Sequence, residues 1–123
     1  MYVLDTNAII YYLKGEPRAV ASLEGILSED SPLYVSTITE AELLGFPRLT
    51  DDELAKIETI LSTLSIIPLD SRLARLAGFV RRTYQIKIPD AIIAATALFT
   101  RSTLVTRNVH DFKKVKELKT FGI

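Results

Sequence analysis

The stretch Pro89-Asp-Ala-Ile-Ile-Ala-Ala-Thr-Ala-Leu-Phe-Thr100, followed after two residues by Thr103-Leu-Val-Thr-Arg-Asn-Val-His-Asp-Phe112, decides how this chain reads. Pro89 marks a helix start, and Asp90 to Thr100 continue it. Ile92, Ile93, Ala94, Ala95 and Ala97 make that helix apolar on most sides, the pattern of a buried element. Its alanines permit close approach to a sheet, so Asp90 in the first turn is held by backbone and not by a mobile loop. Thr103-Leu-Val105 is a short strand, and polar residues follow it at once.

The same alternation extends toward the N-terminus. Tyr2-Val-Leu4 is a strand-like run followed by the turn and cap residues Asp5-Thr-Asn7, with a helix from Ala8 to Leu13. Pro17 opens a second helix with Val20, Leu23, Ile26 and Leu27 at helical spacing. Leu33-Tyr-Val35 is a second strand; a helix then runs from Ser36-Thr37 to Leu44, where Gly45-Phe-Pro47 ends it. Thr50-Asp-Asp-Glu53 signals a capping box for a helix to about Leu64. Ser65-Ile-Ile67 is a third strand, Asp70 and Ser71 begin another helix, and a fifth strand falls near Leu118 to Phe121. Short apolar strands alternating with helices predict one domain over residues 1–123, a three-layer α/β/α arrangement around a mainly parallel, about five-stranded sheet. In such sheets the site lies outside the carboxyl ends of the strands.

Composition narrows the chemistry. The chain has 123 residues, with 15 basic and 15 acidic side chains, one histidine and no cysteine. That excludes disulfides, thiol nucleophiles and any metal site needing two imidazoles. The longest nearly apolar run, Ala91 to Phe99, is about half of what a bilayer span needs. Without a basic N-terminal region the chain reads as soluble and cytoplasmic, with no membrane partner. The formal net charge of zero conceals a division: residues 16–58 carry ten acids and three bases, residues 59–123 four acids and eleven bases. The later half can therefore present a basic surface.

Acids gather at the strand ends. Asp5 follows the first strand, Glu42 lies on the helix after the second, Asp90 begins the long helix, and Asn108 and Asp111 follow the fourth strand. In a parallel sheet these segments converge on one edge. Several carboxylates in one cleft repel each other, and a divalent cation relieves that repulsion. Hard oxygen ligands without histidine or cysteine fit Mg²⁺ or Mn²⁺, ions that support in-line displacement at phosphorus. Each residue also has a plainer role. Asp5 can cap the first helix, and Asp90 can complement a helix dipole. Glu42 falls in a capping frame with Thr39, in competition with a Thr37–Glu40 frame, while Asp111 can cap a short helix at Phe112. His110 is a lone histidine in a polar loop, and Tyr11 and Tyr12 read as packing beside an apolar stripe.

Taken together, Val3-Leu-Asp-Thr-Asn-Ala8, Ser36-Thr-Ile-Thr-Glu-Ala-Glu-Leu43, Pro89-Asp-Ala-Ile-Ile-Ala-Ala95 and Thr103 to Phe112 resemble the PIN-domain nucleases, specifically the VapC toxins of toxin–antitoxin pairs. The resemblance implies a metal-dependent ribonuclease using one or two Mg²⁺ or Mn²⁺ ions. Position by position, Asp5, Glu42 and Asp90 match the family's metal-binding acids. Thr6 and Asn7 match a supporting pair, and Ser36, Thr39 and Thr106 match hydroxyls that shape the site. The fourth acidic position holds Asn108, with Asp111 three residues on, so a second ion has a weaker site. Asp111 is expected to orient or deprotonate the attacking water and to serve as a further ligand. Arg72, Arg75, Arg81, Arg82, Lys87, Arg107, Lys113 and Lys114 are expected on the RNA, with Arg107 either on a phosphate or paired to a site acid. The resemblance also implies an antitoxin partner and a homodimer. Two other readings compete. One is a PIN-like module that binds RNA or protein without cleaving, supported by Asn108. The other is a phosphatase with Asp5 as nucleophile, weakened because Asn7 stands where that chemistry wants a second aspartate.

Overall fold

A computed structural model describes residues 1–123. Its strands are β1 (Tyr2–Leu4), β2 (Leu33–Ser36), β3 (Ser65–Ile67), β4 (Thr103–Thr106) and β5 (Thr120–Gly122). Its helices are α1 (Thr6–Leu13), α2 (Pro17–Leu27), α3 (Thr37–Leu44), α4 (Asp51–Ser62), α5 (Ser71–Tyr84), α6 (Ile88–Thr100) and α7 (Val109–Phe112). The strands pair in the order β3-β2-β1-β4-β5, every pairing parallel. β1 therefore lies at the centre, where the connection order reverses, and its carboxyl end is the natural position for a site.

Side-chain alternation along these short strands builds two cores. Leu4, Val35 and Val105 face one way, against Ala8, Ile9, Leu23, Leu43, Ile57 and Leu61 of α1 to α4. Val3 and Leu104 face the other way, against Val80 of α5, Ala91, Ile93, Ala94 and Ala97 of α6, and Phe112. Leu73 and Ala77 then seal α5 onto Ile92 and Ala95. Each of Ala91, Ala94, Ala95 and Ala97 is 0% exposed, as the apolar girth of this helix predicted. The three layers, the parallel sheet and its five strands agree with the sequence reading. No helix is long and apolar enough to cross a membrane.

Local signals set most element ends. Asp70 Oδ1 accepts from Leu73 N, and Thr50 and Glu53 form the expected reciprocal capping box. α1 begins at Thr6, earlier than the Ala8 expected, because Asp5 itself is the cap. The start of α3 differs from both expected frames. Ser36, the last residue of β2, is the N-cap: its Oγ accepts from Ile38 N at 3.2 Å. Neither Thr37 with Glu40 nor Thr39 with Glu42 caps the helix, so Glu42 is released to the second turn with its carboxylate exposed.

Candidate active site

A cleft of about 610 Å³ opens at the carboxyl ends of β1 and β4. Asp5, Thr6, Asn7, Glu42, Asp90 and Asn108 supply its polar lining, and Ile10, Phe46, Pro47, Pro89 and Ile93 supply apolar walls. Gly45 turns the chain from α3 into that wall, at a point where a Cβ would stand 2.8 Å from the Ala41 carbonyl oxygen. Four of the five expected metal ligands thus meet in one cavity, Asp5, Glu42, Asp90 and Asn108, with Thr6 and Asn7 beside them. Asp111 does not line it. It sits exposed on α7, near enough for its charge to act on Asp90.

Asp5 is the buried centre, 4% exposed. Its backbone N donates to Val105 O at 2.9 Å, locking β1 to β4. Its two carboxylate oxygens divide the work. Oδ1 accepts from Thr6 N at 2.8 Å, which starts α1, and Oδ2 accepts from the buried Thr106 hydroxyl at 2.7 Å. The same Thr106 Oγ1 accepts from Asn108 N at 3.0 Å. Burial pushes the Asp5 carboxyl up to about 6; the charges of Asp90 and Glu42 push the same way, and the Thr106 and Thr6 hydrogen bonds oppose them. Asp90, in the first turn of α6, is also raised, first by burial and then by Asp111 and Glu42, with Lys87 opposing.

Glu42 is steered by the Thr6 hydroxyl. Thr6 Oγ1 donates to Glu42 Oε1 at 2.6 Å and lies 2.9 Å from Thr39 Oγ1. Thr6 is placed to donate in both contacts; having one hydroxyl proton, it shares that proton between Glu42 and the buried Thr39. Of the expected supporting hydroxyls, Thr6 and Thr106 each donate to a cleft acid, and Thr39 lies against Thr6. Ser36 Oγ is used as the α3 cap, accepting from Ile38 N. Asn7 Oδ1 accepts from Arg107 N at 3.1 Å.

Arg107 corrects a second expectation. Its guanidinium pairs with Glu16, the N-cap of α2, and lies over the Tyr11 ring. It is therefore committed to an acid outside the site. Spacing could not reveal this partner, because the pair is 91 residues apart. Among the other expected RNA contacts, Arg72 lies 3.7 Å from Asp70 and over Phe99. Arg81 Nη1 donates to Ile86 O at 3.2 Å. Arg75, Arg82, Lys87, Lys113 and Lys114 are exposed.

The cleft carries oxygen donors from three acids and two amides, with no lysine, arginine or histidine among its lining residues. With Asp5 raised by burial and by the charges of Asp90 and Glu42, and no cationic residue in the lining, these oxygen donors fit a hard divalent cation. No group of three acids is drawn together around one point.

The chain is similar to known proteins along nearly its whole length. The PIN domain family profile matches residues 2–118. Ribonuclease VapC10 of Mycobacterium tuberculosis is 32% identical, with 97% of this chain and 91% of its length aligned. Ribonuclease VapC19 of the same organism is 30% identical over 97% of this chain and 98% of its length. Among solved structures, a toxin–antitoxin complex from Klebsiella pneumoniae superposes with a TM-score of 0.83 at 31% identity, covering all of both chains. With the profile spanning nearly the whole sequence and VapC ribonucleases matching it end to end, this chain belongs to the PIN-domain family, on its VapC branch.

Proposed function

We propose that the chain, as a single domain over residues 1–123, is a Mg²⁺- or Mn²⁺-dependent ribonuclease and the toxin of a toxin–antitoxin pair. The observation that carries the reading is the convergence of Asp5, Glu42 and Asp90, from three separate elements, on one cleft without a cationic side chain. VapC ribonucleases aligned along nearly their whole length support the substrate class. The toxin–antitoxin complex from Klebsiella pneumoniae supports a protein partner. A homodimer and a cytoplasmic location complete the proposal.

Asp5 and Asp90 would hold the ion, with Glu42 beside them and the Asn108 carbonyl oxygen as a neutral donor. Bound there, Mg²⁺ or Mn²⁺ supplies charge stabilisation to the phosphoryl oxygens during in-line displacement. The remaining work belongs to the chain. Thr106 and Thr6 keep Asp5 oriented and favour its ionised form, while the Thr6 hydroxyl, set between Thr39 and Glu42, aims Glu42. Asp111, exposed beside Asp90, orients or deprotonates the attacking water. Arg75, Arg82, Lys87, Lys113 and Lys114 attract the RNA backbone. Because Asn108 brings no charge, one ion is held well and a second only weakly.

The experiment is cleavage of a structured RNA by purified protein with Mn²⁺, with and without chelator. Cleavage should require the ion, and Asp90→Asn should abolish it while leaving the circular dichroism spectrum intact. An Asp90→Asn variant that cuts at the wild-type rate sinks the site assignment. RNA binding without cleavage at high protein concentration would favour the non-catalytic module, for which Asn108 is the supporting feature. The phosphatase reading loses ground, because Asn7 is not an acid and its Oδ1 is occupied by Arg107 N.

A further inference from the structure

Residue 107 is anchored twice. Its amide donates to Asn7 Oδ1 at 3.1 Å, and its guanidinium pairs with Glu16 while Cζ lies 4.2 Å from the centroid of the Tyr11 ring. The Arg107 and Glu16 side chains are only 29% and 28% exposed, so solvent and salt screen them less than a surface pair. Arg107 Nε is buried without a partner, a placement sustained by strong contacts at the rest of the guanidinium. Glu16 is itself fixed, because its other oxygen accepts from Arg18 N at 3.2 Å as the α2 cap. Partial burial pushes the Glu16 carboxyl up, but hydrogen bonds from Arg107 and the Arg18 amide outweigh it and hold the group below its ordinary value.

Both neighbours of this anchored residue serve the cleft. Thr106 donates to Asp5 Oδ2, and Asn108 lines the cavity. Thr106 itself is held by β4, paired with Gly122 of β5, but beyond it α7 spans only four residues and Asn108 makes no side-chain cap. We propose that Glu16, Arg107 and Tyr11 form a clamp, built from α1 and the start of α2, that positions the Thr106–Asn108 segment. Arg107 is thereby a positioning residue and not a phosphate ligand. The inference rests on the ribonuclease reading for the reaction it serves. Physically, the clamp ties the end of β4 to the helices on the other side of Asn7. The backbone at Arg107 and Asn108 then cannot move away from the cleft without breaking an ion pair, a cation–π contact and a backbone hydrogen bond together.

Two variants test it. Glu16→Gln removes the charge but keeps an oxygen for the Arg18 amide, and Arg107→Met keeps an aliphatic stem over Tyr11. The measurements are kcat and KM for RNA cleavage with Mn²⁺, the salt dependence of RNA affinity, and hydrogen exchange of the Arg107 and Asn108 amides. The clamp requires both variants to lower kcat about 10-fold with KM within about twofold. Both should also speed exchange at the two amides about 10-fold, and the double variant should be no worse than either single one. A phosphate-binding Arg107 would raise KM and flatten the salt dependence on Arg107→Met, while Glu16→Gln would free the guanidinium and tighten RNA binding; that pattern overturns the clamp. A merely structural ion pair lowers the unfolding temperature but leaves kcat and the two amides unchanged, and that also overturns it. Should Arg107→Met fail to fold, Glu16→Gln carries the same requirements alone. If the wild-type protein cuts no RNA, the ribonuclease reading fails, and the amide exchange rates alone decide the clamp.

Discussion

Asp5 does two jobs with one carboxylate, and the conflict between them is measurable. One oxygen starts α1 and the other receives Thr106, so the side chain is buried whether or not its charge is neutralised. In the folded protein its pKa is about 6, against about 3.9 in an unfolded chain. The folded state therefore binds this proton more tightly than the unfolded state does. Its contribution favours folding at low pH and is lost as pH rises from about 4 through about 6, leaving a penalty of up to about 3 kcal/mol at neutral pH. In chelator, the unfolding free energy of Asp5→Asn minus that of wild type should rise across this window by about 2 kcal/mol. Subtracting the two removes other groups, including Glu16 and Glu53, whose lowered pKa values act in the opposite sense. Mn²⁺ should stabilise wild type near neutral pH and leave Asp5→Asn nearly unaffected. Urea titrations at several pH values decide it; a difference independent of pH would mean that burial does not penalise this carboxylate.

At the scale of the element, α3 decides where Glu42 points. Three hydroxyl residues in a row of four, Ser36, Thr37 and Thr39, offer overlapping caps, and Glu40 and Glu42 both complete plausible boxes. The sheet selects among them: Ser36 pairs with Ile67 in the parallel register, so β2 ends there and the next residue is already helical. Ser36→Ala should then cost about 1 kcal/mol in urea unfolding, while Glu40→Gln stays within about 0.5 kcal/mol. Equal losses would restore the capping-box frame. Much of the fold was legible because short strands with apolar centres, and helix starts marked by Asp5, Pro17, Thr50, Asp70 and Pro89, are written locally, α6 beginning one residue before Pro89. The convergence of Asp5, Glu42, Asp90 and Asn108 was legible too, since a parallel sheet aligns its carboxyl ends. What sequence could not supply were choices made by distant partners: the frame of α3, set by β3, and the ion pair of Arg107, set by α2. Glu16 before Pro17 is recognisable as a cap, but no periodicity links it to residue 107.

Over the whole molecule, the acidic and basic halves occupy different parts of the sheet's surroundings. The acid-rich residues 16–58 build α2, α3 and most of α4, and the base-rich remainder contains α5, α6 and α7. Two of the cleft acids, Asp5 and Asp90, come from outside the acidic stretch, so local placement and not regional charge makes the cleft negative. Beside it, Arg81, Arg82, Gln85, Ile86 and Lys87 line a second cavity of about 320 Å³ with no acid in its wall. Lys87 also acts on Asp90, which ties this cationic corner to the cleft. An RNA strand reaching the acids by this side would set a phosphate among these cations. Arg81 is a poor choice for testing that route, because it also holds the Ile86 carbonyl and with it the turn between α5 and α6. Arg82→Ala with Lys87→Ala is cleaner: both side chains are exposed, and neither donates a hydrogen bond within the fold. If each contacts one phosphate, the slope of log affinity against log salt should fall by about 1.4, at about 0.7 per contact for a single strand. Titrations at several salt concentrations in Ca²⁺ measure it. An unchanged slope would place the strand on the opposite rim, towards Lys113 and Lys114. A loss of affinity without a change of slope would mean that these residues act by packing, through the Phe79 ring beneath Arg82, and not by charge.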